Sequence, residues 1–363
     1  MKIELGKETF NNAVNKVYKG VGNMNIFMIT TIIGIEGKDG DLILTSTDNA
    51  RNLEVRVKSV LPKDINFYTA TKAALLKSLI NRTDSATVSL DILDDRIVFN
   101  GDCSANLEIV LNDEDSQVGP ARIRPINVEG ETKDVKVSDL KKFLTYLKST
   151  LPVNPDKPEY TAYRVKNGVA MTYDTFGSNL IEIGWDNVDI LVGPAIVNLF
   201  ELLDEEVAHV TVGADKIKIE TDTVVISGAL RPDVAKYVVE KFTKIIYSEQ
   251  MFSTEVVIDK QRLLDTLDRI SLFVDKDEAS IFSIEVNHDS MLLLSLDKNF
   301  VEKVEFESSN LEANIQRLVG LSTFKSSVSS LQGDKVIVNF GVDGGLRITE
   351  NKAYMVVPYA KER

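Results

Sequence analysis

A strand-then-helix pattern recurs three times along the 363 residues of this chain and leaves it few architectures. The first copy is MKIEL followed by a helical stretch from Lys7 to Lys19. The second is DVKV, from Asp134, followed by Ser138 to Thr150. The third is TEVVI, from Thr254, followed by Asp259 to Phe273. Apolar residues fall at helical spacing in each: Phe10, Ala13, Val14 and Val17; Leu140, Phe143, Leu144 and Leu147; Leu263, Leu264, Leu267 and Ile270. Steps of three and four residues put them on one helix face, which wants burial against another layer. Ser138 and Asp259 stand where a side-chain oxygen can cap a first turn.

Each copy repeats the theme in its second half. The helical stretches there are Thr71 to Arg82, Pro194 to Asp204 and Ser322 to Leu331. Thr71 and Ser322 suit N-caps, and Pro194 suits a first helical position. Alternating strands follow each helix, in ATVSLDILDDRIVFNG (from Ala86), HVTVGADKIKIETDTVVISG (from His209) and KVIVNFGVDGGLRITENKAYMVV (from Lys335). Turns are expected at Asp94-Asp95, Ala214-Asp215 and Gly344-Gly345. The expected fold class is α+β: three repeated domains of roughly 120 residues, each with two helices packed on antiparallel sheet. Residues 1–120, 128–248 and 252–363 are the expected domains. The linkers are Asn112 to Glu131, acidic and carrying two prolines, and Tyr247 to Ser253.

Composition removes several function classes. One cysteine, Cys103, excludes an intrachain disulfide and fits a reducing compartment. The two histidines, His209 and His288, are far apart and have no metal-ligand spacing, so neither a metal nor another cofactor is expected. No Gly-rich loop could cradle a phosphate. Asp94-Asp95 and Asp204-Glu205-Glu206 offer carboxylates, but adjacent carboxylates in turns are ordinarily solvated, so an enzyme is not expected. The opening MKIELGKETF lacks a signal-peptide core, no apolar run could cross a bilayer, and a cytoplasmic protein with no membrane partner is expected.

Charge is segregated. The net charge is −13, yet the six helical stretches hold thirteen basic and seven acidic residues, leaving −19 elsewhere. The cations are Lys7, Lys16, Lys19, Lys72, Lys77, Arg82, Lys141, Lys142, Lys148, Lys260, Arg262, Arg269 and Lys325. A basic helical layer beneath an otherwise acidic exterior favours a polyanion on the helical side and repels it elsewhere. Pro194 to Asp204 breaks the pattern, having no cation and running into Asp204, Glu205 and Glu206.

With LILTSTD (Leu42 to Asp48), SGALRPDVAKYV (Ser227 to Val238) and the C-terminal AYMVVPYAKER added to the triple repeat, the chain resembles the bacterial DNA sliding clamp, the β subunit of the replicative DNA polymerase III, over its whole length. The resemblance implies a processivity factor without chemistry of its own: a head-to-tail homodimer closing a ring of six domains round double-stranded DNA, independent of base sequence. Replicative DNA polymerase and an ATP-dependent clamp loader are the implied partners. Of the cations above, all but Arg269 are the implied DNA-facing set. Ile270, Leu272 and Phe273, at the end of the third domain's first helix, are the implied dimer interface, against Leu107 and Ile109. A groove for a short apolar peptide is implied at Phe176, Leu180, Pro232, Lys236, Tyr237, Met355, Val356, Val357, Pro358 and Tyr359. The C-terminal strand adds a physical reason: no later element covers it, Pro358 stops further pairing, and Met355 offers an adaptable surface.

The sequence departs from the family in three places. Its middle-domain second helix lacks cations, GVGNMNIFMITTI (Gly20 to Ile32) has no arginine, and Thr175, Phe176, Gly177 and Ser178 replace the family's Gly-His-Arg. A divergent member, phage-encoded or cellular, fits these departures. A β-rich repeat protein of the virion type is the alternative; it accounts for the acid content but not for the basic helices.

Overall fold

The computed structural model describes residues 1–22, 27–112, 119–151, 161–173, 177–232, 240–274, 280–311 and 314–360. One motif is written three times: strand, helix, four strands, helix, three strands. The first copy comprises β1 (Lys2–Gly6), α1 (Lys7–Tyr18), β2 (Ile32–Lys38), β3 (Asp41–Thr47), β4 (Arg51–Val57), β5 (Phe67–Lys72), α2 (Ala73–Asn81), β6 (Thr87–Ile92), β7 (Arg96–Asn100) and β8 (Ser104–Glu108). The second comprises β9 (Glu131–Lys136), α3 (Val137–Lys142), β10 (Tyr163–Lys166), β11 (Val169–Tyr173), β12 (Ser178–Glu182), β13 (Asp189–Val192), α4 (Pro194–Val197), β14 (Val207–Val212), β15 (Lys216–Glu220) and β16 (Val224–Ala229). A short helix, α5 (Glu240–Ile246), follows it. The third comprises β17 (Thr254–Asp259), α6 (Lys260–Ile270), β18 (Ile281–Val286), β19 (Ser290–Leu294), β20 (Val301–Glu305), the two-residue β21 (Ser308–Ser309), β22 (Ile315–Gly320), α7 (Leu321–Ser330), β23 (Lys335–Phe340), β24 (Gly345–Glu350) and β25 (Ala353–Pro358).

Pairing repeats with the same rule. The four strands between the helices run β5-β2-β3-β4, β13-β10-β11-β12 and β22-β18-β19-β20. The opening strand joins the last three as β1-β6-β7-β8, β9-β14-β15-β16 and β17-β23-β24-β25. The chain packs into two compact units, Met1–Val137 with Asn198–Leu230, and Ser138–Val197 with Arg231–Arg363. Antiparallel pairing of β4 with β16 makes an eight-stranded sheet in the first unit, with Leu53 opposite Ile226. Pairing of β12 with β25 makes a nine-stranded sheet in the second, with Leu180 opposite Tyr354. Two four-stranded sheets remain, and β8 and β20 form open edges among the described residues.

The helices bury the predicted stripes. Phe10, Ala13, Val14 and Val17 of α1 are buried, as are Leu263, Leu267 and Ile270 of α6. Asp259 caps α6 as expected, its carboxylate accepting from the Arg262 amide at 2.7 Å. The other cap expectations fail. Lys72 and Gly320 are the N-cap residues of α2 and α7, Ser138 lies inside α3, and the Thr71 hydroxyl instead donates to the Glu108 carbonyl at 3.0 Å. Nor does the segment Ser138 to Thr150 remain one α-helix. It widens into a π-turn over Phe143–Leu147 and tightens into a 3-10 turn over Lys148–Thr150. Side chains from the sheet take the displaced carbonyls: the Asn179 amide donates to Tyr146 O at 2.5 Å, and the Thr172 hydroxyl to Leu147 O at 2.7 Å. Pro194 to Asp204 likewise becomes α4 and then a 3-10 turn over Asn198–Leu202.

Tyr68 holds the middle of the segment Asn112 to Glu131. Its hydroxyl donates to Ala121 O at 3.0 Å and accepts from the Ile123 amide at 3.2 Å, so Ala121 and Ile123 pack with Ile32 and Ala70. Arg347 holds the second linker, donating to Ile246 O at 2.7 Å with its guanidinium 4.9 Å from the Phe252 ring centre. No helix among the described residues is long and apolar enough to cross a membrane.

Candidate nucleic-acid and partner surfaces

The polar face of α1 and α2 belongs to the first unit. Asn15 ties the two helices, donating to Asn81 at 3.0 Å and to Asn11 on its own helix at 2.9 Å. The Lys77 ammonium lies 3.9 Å from the centre of the Tyr18 ring, a contact that orients the charge without neutralising it. Gly20 closes α1 against β4, where a Cβ would come within 2.7 Å of the Leu53 side chain. Lys7 is half-buried and Arg82 exposed. Lys72 pairs with Glu108 at 3.0 Å, both side chains largely in solvent.

Lys16 and Lys19 are engaged differently. The 3-10 turn after α4 and the residues just past it present carboxylates to α1: Lys16 Nζ lies 2.5 Å from Asp204 Oδ2 and 3.3 Å from Leu202 O, and Lys19 Nζ lies 2.5 Å from Glu201 Oε1. The acidic turn that broke the charge pattern is thus the counterion of the first helix. Leu199, Phe200 and Leu202 are buried and anchor it. Next to it, burial pushes the Glu205 carboxyl up, but hydrogen bonds from the Thr223 hydroxyl and amide outweigh that and hold it below the usual range.

In the second unit, Lys142 pairs with Asp139 at 2.7 Å and Lys325 with Asp268. Lys260 donates to Leu331 O at 2.6 Å. Arg262 and Arg269 converge on Glu302 at 2.9 and 2.5 Å, and the Arg269 hydrogen bond chiefly holds the Glu302 carboxyl below its ordinary range. Lys141 and Lys148 make no ion pair among the described residues. Exposed pairs of this kind contribute only ~0.2–1 kcal/mol each to stability. Among the described residues no group of three or more His, Cys, Asp or Glu side chains could hold a metal ion.

The C-terminal surface, also in the second unit, divides the predicted groove residues. Leu180, Met355 and Val357 are buried, and Met355 sulfur accepts from the Ser330 hydroxyl at 3.2 Å. Side chains alternate along a strand, so Met355 and Val357 point into the core while Tyr354 and Val356 point the other way. The expectation that Met355 supplies an exposed lip is corrected accordingly. Pro358 ends pairing with β24, yet the chain does not stop there: Tyr359 bridges to Val319, and the Ala360 amide donates to Leu318 O at 2.8 Å. Burial pushes the Tyr359 hydroxyl up to about 12, and it donates to Gly341 O at 3.0 Å. Pro232 is exposed, while Phe176, Lys236 and Tyr237 lie outside the described residues.

The structure adds three aromatic residues that the sequence pattern did not single out. A buried cluster of Ala162, Met171, Leu180, Leu191 and Ile246 is flanked by half-exposed Tyr173, Phe242, Tyr354 and Val356, with the Tyr173 and Phe242 rings 4.4 Å apart. The alternation of β25 could have pointed to Tyr354. Phe242 sits on α5, a helix that no repeat foreshadowed.

The predicted interface residues divide too. Leu107, Ile109 and Ile270 are buried within the chain, whereas Leu272 is 80% and Phe273 48% exposed. Phe273 stacks on Phe300 at 5.3 Å, and Val301 and Leu296 are also exposed. An apolar patch therefore lies beside the open edge β20. The edge strand β8 belongs to the first unit.

No family model and no curated protein matches the sequence. Solved structures do match. The DNA polymerase sliding clamp from Bacillus subtilis is 15% identical with a TM-score of 0.83, and all of both chains is covered. The DNA polymerase III subunit beta from Borrelia burgdorferi, in complex with a natural product, gives the same three values. The beta subunit from Thermotoga maritima is 15% identical, with a TM-score of 0.80 and full coverage of both. Along its whole length, this chain has the fold of the bacterial DNA polymerase III beta sliding clamps.

Proposed function

We propose that this protein is a DNA sliding clamp, a processivity factor that encircles duplex DNA and tethers a replicative polymerase. The observation that carries the reading is the full-length clamp fold of a chain whose helical stretches hold more cations than carboxylates although its net charge is −13. Two copies joined head to tail, β8 of one beside β20 of the other, would close the ring, make three domains per protomer continuous with their neighbours, and cover Leu272, Phe273 and Val301. Helices α1, α2, α3, α6 and α7, with the turn after α4, would face the DNA, and retention would be topological, which suits modest positive charge and needs no reading of bases. A separate ATP-dependent loader would open the ring. The half-exposed aromatic surface of Tyr173, Phe242, Tyr354 and Val356, together with Pro232 and Pro358, would receive an apolar peptide from the polymerase and the loader.

The test is retention on nicked circular DNA after loading. The reading expects a complex that survives a high-salt wash and is released when the circle is linearised. A complex lost equally from circles and linear DNA would overturn it. In solution the mass should approach twice 40.3 kDa.

A further inference from the structure

The ion pairs between α1 and the turn after α4 have no evident role in holding the first unit together. All four side chains are substantially solvated, at 28% and 48% exposure for Lys16 and Lys19, and 65% and 50% for Asp204 and Glu201. The turn is already secured by the burial of Leu199, Phe200 and Leu202. The carboxylate oxygens sit 2.5 Å from each ammonium, where phosphate oxygens of a bound backbone would need to be, and they are fixed there by buried neighbours. Lys7, Lys77 and Arg82 on the same layer make no such ion pair among the described residues.

We propose that Glu201 and Asp204 are built-in competitors for the DNA backbone: they hold Lys16 and Lys19 in ion pairs that a phosphate must displace, and so limit how tightly the protein grips duplex DNA. The proposal rests on the clamp reading and adds to it a brake on electrostatic grip. A ring held by topology gains nothing from tight contact, and each further phosphate contact would steepen salt dependence and slow sliding.

The experiment measures affinity for a short fluorescent duplex across a salt series, using the full chain with Glu201→Gln and Asp204→Asn together. Two freed lysines should steepen the logarithmic salt slope by about two units, so the affinity lost between 50 and 200 mM salt grows roughly tenfold. Adding Lys16→Gln and Lys19→Gln to that variant should restore the original slope. The same lysine changes in the otherwise unchanged protein should alter it little, and this non-additivity is what a general charge effect would not produce. Asp94→Asn with Asp343→Asn, both exposed in hairpin turns, matches the charge change and should leave the slope alone. The proposal is overturned by an unchanged slope in the Glu201/Asp204 variant, by an equal effect of the control, or by full flattening from the lysine changes alone. If the unchanged protein shows neither salt-dependent duplex binding nor retention on circles, the clamp reading itself fails, and the proposal with it; retention with an unaltered slope sinks only the proposal.

Discussion

Replacing Leu272 and Phe273 by alanine removes the two side chains that the end of α6 leaves in solvent, at 80% and 48% exposure. Burying a whole side chain of this size stabilises by about 1.5–3 kcal/mol, so covering the exposed parts is worth about 1.2–2.4 kcal/mol for Leu272 and about 0.7–1.4 kcal/mol for Phe273. A two-protomer head-to-tail ring contains two equivalent interfaces, so the dimer loses about 4–8 kcal/mol, roughly three to six decades in Kd. The fold loses much less. Among the described residues Phe273 makes one ring contact within the chain, with Phe300, and such contacts contribute ~0.5–1.5 kcal/mol. Ile270→Ala provides the contrast. That side chain is fully buried, so its truncation costs about 2–5 kcal/mol of folding stability through the cavity it leaves. Sedimentation over a dilution series, paired with thermal unfolding, separates the two outcomes. A double variant that stays dimeric with an unchanged Kd would refute the assignment of this patch to the ring interface.

Charge reversal of Lys7, Lys77 and Arg82, the cations of the first two helical stretches without an ion-pair partner among the described residues, should flatten the salt slope of duplex binding by roughly one unit per residue and do so equally for unrelated sequences; sequence-selective losses would count against a channel. Tyr173→Ala with Phe242→Ala should abolish binding of a polymerase-derived peptide, read by fluorescence anisotropy, while rings still remain on circular DNA; full peptide affinity would move the groove elsewhere. Glu302 has a folded pKa lowered chiefly by its hydrogen bond from Arg269, so its contribution is present above the ordinary glutamate range and lost as pH falls through the lower folded value. The stability gap between the unchanged protein and Glu302→Gln should therefore be constant near neutrality and close on acidification, and a gap that widens in acid would contradict the assigned partner.

Periodicity made the architecture legible. Steps of three and four between Phe10, Val14 and Val17, and again between Leu263, Leu267 and Ile270, are local consequences of helix geometry, so they survive in one sequence without any partner in view. Alternation did the same for β14–β16 and β23–β25, and the turns at Asp94-Asp95 and Ala214-Asp215 fall between paired strands, while of Gly344-Gly345 only Gly344, at φ +92°, lies in the turn and Gly345 opens β24. A residue's own spacing could not reveal what stood opposite it. Met355 looked like a flexible lip because no later element in the chain covers it, yet the register of β25 between β24 and β12 turns it inward beside Ser330. The π-turn in Phe143–Leu147 depends on Asn179 and Thr172, which come from strands about thirty residues away in sequence.

The same division holds for the charge. The chain by itself determined that its helical stretches hold more cations than carboxylates and that Pro194 to Asp204 has no cation. Only the tertiary structure decided that this acidic turn meets α1: its apolar residues are buried, and Glu201 and Asp204 reach Lys19 and Lys16 across more than 180 residues of chain. Composition counts charges one at a time. The partner of each is chosen by packing, since an ammonium and a carboxylate interact over a few ångströms in space regardless of their separation in sequence.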